Sequence, residues 1–362
     1  MLLEKADALF LNRCKELAEM SDSGVYPNPR VGAVIVHNGK IIGEGFHRKP
    51  GTAHAEVLAV ASVKDKSLLS SSTMYVNLEP CNHYGKTPPC TLLILDNKIP
   101  EVVIGSFDPN PKVAGGGVKR LRKHGVRVEV AQDPLEYHDL NKVFFTNQLK
   151  KRAFILLKWA ASADNFIATF DEAGKAIPTP ISGSQSLRLA HKLRAKHHAI
   201  MVGKNTALID NPRLNTRLFP GKTPIRIVLD RRMELPKSLG IFQDGSETLI
   251  LNEKQDKTEG TVRWVKTENL HDLNALSAEL YTRLGICSIL VEGGSNLLQQ
   301  YIDQEAYDEI WRVEAEKILE RGIPGPKIPA HLNFEQRRLD RNDQLFYYRT
   351  YQDIFSPIIP IT

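Results

Sequence analysis

Apolar residues recur at helical spacing in residues 3–19, with acidic residues at the polar positions, which predicts an amphipathic helix. The next stretch, "VGAVIVHNGKIIGEGF", places two apolar runs around Asn38-Gly39, a strong hairpin signal. Helical and strand-like patterns then alternate, with helices near 54, 88 and 118–123 and strands at 73–78, 101–107 and 126–131. Strands separated by helices predict a sheet covered by helical layers.

A second α/β pattern follows a helical stretch at 134–150. It opens with "AFILLKWAASADNFIA", predicted as one fresh strand, so we place the domain boundary there and predict domains at 1–147 and 148–362. The later pattern predicts helices at 184–195, 270–284 and 295–302 and strands at 199–203, 225–230, 248–252 and 288–292. A proline-rich tail, to which we assign no structure or chemistry, ends the chain.

Length and composition agree with two globular domains. A chain of 362 residues exceeds what one hydrophobic core usually serves, and 42% hydrophobic and 25% charged residues are ordinary values. No run approaches the roughly 18 apolar residues of a membrane span, and the acidic N-terminal helix does not resemble a signal peptide. We therefore expect a cytoplasmic protein.

Charge and cysteine usage narrow the chemistry. The net charge of +6 is modest for this length and its lysines and arginines are dispersed, which favours small anionic substrates over nucleic acid. The four cysteines are too few and too scattered for a disulfide framework, so a reduced compartment is expected.

Three residues have the chemistry of a catalytic zinc site: His54 in "GTAHAEVLAVASV", and Cys81 and Cys90 in "EPCNHYGKTPPC". One histidine and two thiolates, with a fourth position left for water, form an established ligand set. "KTPPC" reads as a helix start with Thr87 as N-cap and Pro88 as the first helical residue, so Cys90 falls in the first turn, where its thiol pKa is lowered. His54 is likewise expected in the first turn of its helix.

Glu56 stands two residues after His54, where its carboxylate can reach a zinc-bound water without being a ligand. The order H-x-E followed by P-C and C matches the zinc deaminase signature, except that eight residues separate the cysteines in place of two. The longer loop carries His83, Tyr84 and Lys86, which could grip a substrate. The pattern predicts hydrolytic deamination, in which zinc supplies a water of lowered pKa and Glu56 carries the proton to the departing amine.

Two other interpretations remain open at this point. A closed structural zinc site in a binding protein would use His83 as a fourth ligand. Alternatively, the chain could deaminate a free base or another nucleotide, with a second domain that only binds or shapes, is inactive or has a different specificity.

The glycines of "VAGGGVKRL" lack the order of a dinucleotide-binding loop and do not directly follow their strand. We assign them to a turn and a helix entry.

The motifs "PNPRVGAVIV", "GEGFH", "HAEVLA", "YVNLEPCNHYGKTPPC" and "DPNPKVAGGG" together resemble the bifunctional deaminase/reductase family of riboflavin biosynthesis across residues 1–150. The resemblance implies a cytidine-deaminase-like three-layer α/β/α domain. It also implies zinc-dependent deamination of 2,5-diamino-6-ribosylamino-4(3H)-pyrimidinone 5′-phosphate, then NADPH-dependent reduction of the ribosyl chain to ribityl. The implied substrate contacts are Asn28 and Asn110, which suit a pyrimidinone edge, and His47 and Lys86, which suit the ribose phosphate.

The second half resembles the family's dihydrofolate-reductase-like domain in "LKWAASAD", "HKLRAKHHAIMVGKNTALIDNPRLNTR", "PIRIVLD" and "LVEGGSNLL". Gly293-Gly294, between a strand and a helix start, lets backbone amides approach a phosphate. The resemblance implies a homodimer or homotetramer. It implies NADPH contacts at Ala160, Thr206, Asp210, Arg231, Gly294, Ser295 and Asn296, and substrate contacts at Arg194, Leu214, Arg217 and Glu292.

Two departures from the family pattern fall in this half. Asn165 stands where glycine is usual, a change that asparagine's tolerance of left-handed backbone makes harmless. Pro180 stands where tryptophan is usual, which removes a packing surface for the cofactor. Between Asp164 and Ile181 the chain is a few residues longer than is usual.

Overall fold

The computed structural model describes residues 5–84, 88–110, 114–131 and 135–350. The chain divides between Lys150 and Lys151 into two compact units. Among the described residues, no helix combines the length and apolar character needed to cross a membrane.

The first unit is built on one sheet, whose described strands run in the order β2-β1-β3-β4-β5. Strand β1 pairs antiparallel with β2 and β3, while β3, β4 and β5 are mutually parallel. The elements are α1 (Lys5–Glu19), β1 (Gly32–His37), β2 (Lys40–Phe46), α2 (Ala55–Ser62), β3 (Thr73–Val76), α3 (Cys90–Asp96), β4 (Glu101–Ile104), α4 (Gly116–Lys123), β5 (Arg127–Val130), α5 (Leu135–Leu140) and α6 (Lys142–Lys150).

Helices cover both faces of this sheet, so the predicted three-layer α/β/α architecture is confirmed. Because side chains alternate along a strand, Ala33 and Ile35 pack with α2, α3 and α4 on one face. Val34 and Val36 pack with α1 on the other. The predicted hairpin is also present: Asn38 and Gly39 have φ of 47° and 72°, as a two-residue turn between antiparallel strands requires.

The helical stretch predicted at 134–150 consists of two helices, α5 and α6, which are separated by Asn141. The buried Asn141 side chain accepts a hydrogen bond from the Arg30 backbone amide at 2.8 Å and donates to the Arg30 carbonyl at 3.0 Å. This long-range contact holds the backbone near Asn28 in place. It could not be predicted from the helical periodicity of the sequence.

The second unit contains a larger sheet, whose described strands run in the order β12-β13-β11-β10-β9-β14-β6-β15-β18-β17. Strands β10, β9, β14 and β6 are parallel neighbours at its centre. The elements are β6 (Phe154–Ala161), β7 (Phe166–Phe170), β8 (Ala176–Ile177), α7 (Ser184–Lys196), β9 (Ala199–Gly203), α8 (Lys204–Asp210), β10 (Ile225–Leu229), β11 (Thr248–Asn252), β12 (Lys257–Glu259), β13 (Val262–Lys266), α9 (Leu273–Leu284), β14 (Ser288–Val291), α10 (Ser295–Asp303), β15 (Glu309–Ala315), β16 (Ile323–Pro324), β17 (Phe334–Arg338) and β18 (Asp343–Arg349).

The predicted strand in "AFILLKWAASADNFIA" is two strands, β6 and β7, joined by a turn. Asn165 lies in this turn with φ of 64°, so the expected left-handed conformation is confirmed. The neighbouring Asp164 carboxylate accepts hydrogen bonds from the backbone amides of Leu319 and Glu320, at 3.1 and 2.7 Å.

The tail that we left without structure forms strands β17 and β18, which extend the large sheet beyond β15. Strand β17, "FEQRR", is exposed along its whole length. An exposed edge strand lacks an apolar face, and this explains why the hydrophobic pattern did not reveal it.

Candidate active sites

Two of the predicted zinc ligands lie at helix starts in the first unit, and the third, Cys81, lies in the loop that follows β3. His54 is the N-cap of α2, one residue before the first turn in which we expected it. Cys90 is the first residue of α3, so its predicted place in the first turn is confirmed, but the N-cap is Pro89 and not Thr87. Thr87 and the predicted substrate contact Lys86 lie outside the described residues.

The three ligand atoms converge within 4.8 Å of one another. His54 Nδ1 is 3.3 Å from Cys90 Sγ and 3.6 Å from Cys81 Sγ, and the Cys90 backbone amide donates to Cys81 Sγ at 3.3 Å. Tetrahedral zinc with bonds of about 2.0 Å to nitrogen and about 2.3 Å to sulfur separates its ligand atoms by about 3.5 Å. The donor set therefore fits zinc in chemistry and in spacing.

His83 does not join this cluster. Among the described residues, His54, Cys81 and Cys90 form the only cluster of side chains whose ligand atoms lie close enough together to hold a metal ion, and His83 is exposed. A three-ligand site leaves a coordination position for water, which is the catalytic arrangement and not the structural one.

Hydrogen bonding sets the thiol pKa values unequally. The Cys90 thiol hydrogen-bonds to Cys81 and lowers the pKa of Cys81, with a further lowering from His54. The same pairing, together with burial, raises the pKa of Cys90, contrary to our expectation that its helix start would lower that pKa.

Glu56 lies in the first turn of α2 with only 4% of its surface exposed. Burial and the neighbouring Cys81 raise the pKa of Glu56 to about 6. A carboxyl group with a pKa near the working pH can both take and return a proton, as a general acid and base must.

Asn28 and His47 meet beside the zinc ligands. The Asn28 amide nitrogen lies 3.0 Å from His47 Nε2, and His47 Nδ1 lies 3.1 Å from the Ala53 carbonyl. Nδ1 therefore carries the hydrogen, and Nε2 accepts from Asn28. The His47 ring packs edge-on against His54 at 5.4 Å, and burial lowers the pKa of His47. This buried neutral ring suits hydrogen bonding better than the phosphate-binding charge expected from the sequence.

Asn110 is the fourth predicted substrate contact of the first unit, and it lies in a turn after β4. The Asp108 side chain closes this turn by accepting a hydrogen bond from the Asn110 backbone amide at 2.8 Å. The predicted helix entry after it is confirmed, because Gly115, with φ of 72°, is the N-cap of α4.

In the second unit, predicted cofactor contacts gather at one edge of the sheet. Parallel strands place their carboxyl ends at a common edge, where open α/β sheets bind ligands. Thr206 follows β9, Arg231 follows β10, and the segment of Gly294, Ser295 and Asn296 follows β14. The Thr206 hydroxyl accepts a hydrogen bond from the Gly294 backbone amide at 2.9 Å, which joins the starts of α8 and α10. Ala160 lies near the carboxyl end of β6.

Arg194 and Glu292, two predicted substrate contacts, form an ion pair. Arg194 Nη2 is 2.6 Å from Glu292 Oε2, and only 12% and 10% of the two side-chain surfaces are exposed. Burial opposes ionisation of Glu292, but Arg194 and Lys158 outweigh it and lower the pKa of Glu292. Burial also lowers the pKa of Lys158.

Lys158 is a site residue that our sequence reasoning missed. A signal existed, because Lys158 is the one charged residue in the apolar strand "FILLKWAA". A lysine in a buried strand is costly unless a charge of opposite sign lies near it, and the charge of Glu292 acts to raise the pKa of Lys158 against the effect of burial.

The remaining predicted contacts surround a cavity of about 320 Å³. Its walls carry the guanidinium groups of Arg194, Arg213 and Arg217, together with Asp210 and Leu214. Leu214 is buried with φ of 54°, so a strained backbone supports this wall. Because Arg194 already pairs with Glu292, Arg213 and Arg217 are the arginines of this cavity that best suit an anionic group.

Two sequence profiles divide the chain in the same way. The profile of the cytidine and deoxycytidylate deaminase zinc-binding region matches residues 4–106, and that of the RibD C-terminal domain matches residues 153–322. With the two folds described above, these matches define a zinc-dependent deaminase joined to an NADPH-dependent, dihydrofolate-reductase-like reductase.

Similar proteins cover nearly the whole chain. The riboflavin biosynthesis protein RibD of Aquifex aeolicus is 36% identical over 331 residues, which span 89% of this chain and 90% of that protein. RibD of a Synechocystis strain is 35% identical, spanning 91% and 90%. A Thermotoga maritima crystal structure, described as a diaminohydroxyphosphoribosylaminopyrimidine deaminase/5-amino-6-(5-phosphoribosylamino)uracil reductase, superposes with a TM-score of 0.85 at 34% identity, covering 95% of this chain and 98% of that one. The chain belongs to the RibD family of bifunctional deaminase/reductases in riboflavin biosynthesis.

Proposed function

We propose that the substrate is 2,5-diamino-6-ribosylamino-4(3H)-pyrimidinone 5′-phosphate, which the chain first deaminates and then reduces at the ribosyl group to give the ribityl phosphate. The observation that carries the first step is the convergence of His54, Cys81 and Cys90 beside the buried carboxyl group of Glu56. A deaminase of a free base, with an inert second unit, would not need the three arginines around the second cavity.

In the deamination step, Glu56 is the proton carrier. Zinc held by His54, Cys81 and Cys90 supplies a water of lowered pKa. Glu56 would take a proton from the attacking water as the C–O bond forms, and would return it to the exocyclic amine as the C–N bond breaks, so that ammonia leaves. Its place in the first turn of α2, two residues from a ligand, supports this role.

Asn28, His47 and Asn110 would hold the pyrimidinone near this carboxyl group. Asn28 and His47 already form one hydrogen-bonded pair, which orients the amide for a second contact. We assign the ribose phosphate to Lys86, on the loop between the two cysteines.

In the reduction step, the cofactor carries the hydride and the protein orients the two partners. We assign NADPH to Ala160, Thr206, Asp210, Arg231 and the segment from Gly294 to Asn296. We assign substrate binding to Arg194, Leu214, Arg217 and Glu292, with the arginines binding the phosphate. Asp210 and Glu292 are the residues to test as the proton source: burial raises the pKa of Asp210, whereas the ion pair with Arg194 keeps Glu292 ionised. Lys158 is a further charged group whose charge acts on Glu292.

We further propose that the deaminase occupies residues 1–147 and the reductase 148–362, that two or four copies associate, and that the enzyme acts in the cytoplasm. The last point is supported by the ligand cysteines, which are free thiols and must stay reduced to bind metal. The dispersed charge supports a small-molecule substrate over nucleic acid.

The test is one assay of the zinc-loaded protein with this substrate, following ammonia release and NADPH oxidation together. Both should proceed, with NADPH consumed only after ammonia appears. Ammonia without NADPH oxidation would restrict the function to the first unit, and neither signal would overturn the proposed substrate.

A further inference from the structure

Glu79 opens the motif that carries Cys81, yet its side chain is not among the metal ligands. Only 4% of Glu79 is exposed, although a buried carboxylate is costly unless it is hydrogen-bonded. The contacts that Glu79 makes account for its burial.

Four backbone amides donate to this one carboxylate. Oε2 accepts from Asp108 at 3.3 Å and from Gly115 at 2.9 Å. Oε1 accepts from Gly117 at 2.8 Å and from Val118 at 3.1 Å. Each oxygen thus binds two donors, which uses the full acceptor capacity that only an ionised carboxylate offers.

These donors bracket the predicted substrate contact Asn110. Asp108 precedes Asn110, and the other three amides follow it at the start of α4. A residue that served only as the cap of α4 would have no need to bind Asp108, which is joined to Asn110 by its own side-chain hydrogen bond. Glu79 therefore ties together both ends of the segment that presents Asn110.

The same residue connects that segment to the metal site. Its backbone amide donates to the Ser106 carbonyl at 2.9 Å, and Cys81 lies two residues further along the chain. The fit is also tight: a Cβ built on Gly117 would stand 2.3 Å from the Pro80 carbonyl oxygen and 3.1 Å from Glu79 Oε1.

We propose that Glu79 is a positioning residue for deamination, which holds Asn110 at a fixed distance from the zinc ligand Cys81. This inference rests on the proposed function, because it takes Asn110 to bind the pyrimidinone. Glu79 would touch neither substrate nor metal and would act through Asn110 alone.

The decisive variant is Glu79→Gln. It replaces one carboxylate oxygen with an NH2 group, which cannot accept the two backbone N–H groups that now donate to that oxygen. In the zinc-loaded enzyme, we expect the KM for the diaminopyrimidinone ribosyl phosphate to rise about tenfold, with kcat changed less than about threefold and zinc retained. Asp65→Asn is the control. The Asp65 carboxylate also accepts a hydrogen bond from a backbone amide, at 3.0 Å, but it follows the C-terminal end of α2, whereas the zinc ligand His54 lies at the N-terminal end.

A double-mutant cycle with Asn110→Ala separates positioning from general damage. If Glu79 acts through Asn110, adding Glu79→Gln to Asn110→Ala should raise KM by less than about twofold more. Additive effects, an unchanged KM in Glu79→Gln, or loss of zinc together with kcat would each overturn the inference. NADPH oxidation with the deaminated intermediate, measured on every variant, reports whether the second unit is folded, and zinc content reports on the first. Absence of ammonia release from the unmodified protein would instead overturn the proposed function, and this inference with it.

Discussion

The two candidate sites are assembled from the chain in different ways. The zinc ligands come from two short stretches at helix starts, one holding His54 and the other Cys81 and Cys90. The reductase site draws on the ends of four parallel strands and on helix α7, and its ion pair joins Arg194 to Glu292, 98 residues further along the chain. The first site can therefore be recognised in the sequence as a motif, whereas the residues of the second site come together only through the order of the strands in the sheet.

The largest effect is expected from Glu56→Gln, which should abolish deamination at the zinc site and leave reduction unchanged. The amide cannot carry a proton, so we expect deamination to fall by roughly two to four orders of magnitude while zinc stays bound. Ammonia release and metal content of the purified variant would be measured together.

Reduction of the deaminated intermediate by Glu56→Gln serves as its control, and that rate should match the unmodified enzyme. Normal ammonia release from this variant would contradict the role assigned to Glu56. Loss of zinc would mean that Glu56 holds the metal site together.

At the reductase site, Arg194→Lys should slow reduction. Lysine keeps the charge but cannot reproduce the two contacts that Arg194 makes to Glu292, at 2.6 and 3.4 Å, or its 3.2 Å contact to the Asn215 carbonyl. We expect kcat/KM for reduction to fall roughly ten- to a hundredfold, since each lost charged hydrogen bond costs about 1.5–3 kcal/mol. Steady-state NADPH oxidation gives this value.

Arg188→Lys, on the exposed side of the same helix, is the matched control and should leave reduction unchanged. An equal loss of reduction in both variants would show damage to α7 and not to the site. A loss of deamination in Arg194→Lys would contradict the assignment of this residue to the second activity.

What could be predicted from the sequence follows the same division. The layered α/β fold, the hairpin at Asn38 and the zinc cluster were all predicted, because each depends on residues close together in the chain. Lys158 is the one charged residue of its strand, but its importance depends on Glu292, which follows the neighbouring strand β14, and strand order could not be predicted. The break at Asn141 was missed because it depends on the distant Arg30 backbone. Exposed strands such as β17 carry no apolar alternation to detect.

A smaller effect is expected at Asn165, where the reductase half departs from the family pattern. Asn165 has φ of 64°, and its carbonyl accepts the Gly325 amide at 2.7 Å. Asn165→Val should lower the free energy of unfolding by about 1–2 kcal/mol, because a β-branched residue is strained in the left-handed region. Urea denaturation would measure the change.

Asn165→Gly restores the residue usual in the family and should leave stability within about 0.5 kcal/mol, since glycine adopts this conformation freely. Equal stability of the valine variant would contradict the strain argument. A gain in reduction rate with glycine would show that the departure limits catalysis.

The smallest effect is expected from His83→Ala, which tests whether the local site is complete with three protein ligands. His83 is exposed, and it lies outside the cluster of His54, Cys81 and Cys90. The variant should therefore bind one zinc per chain, with affinity within about twofold of the unmodified protein, as judged by competition with a chelator. His54→Ala is the positive control and should lose the metal, because it removes one of three ligands. Loss of zinc from His83→Ala would make the site a closed four-ligand one, and a closed site has no position left at which Glu56 could meet a bound water.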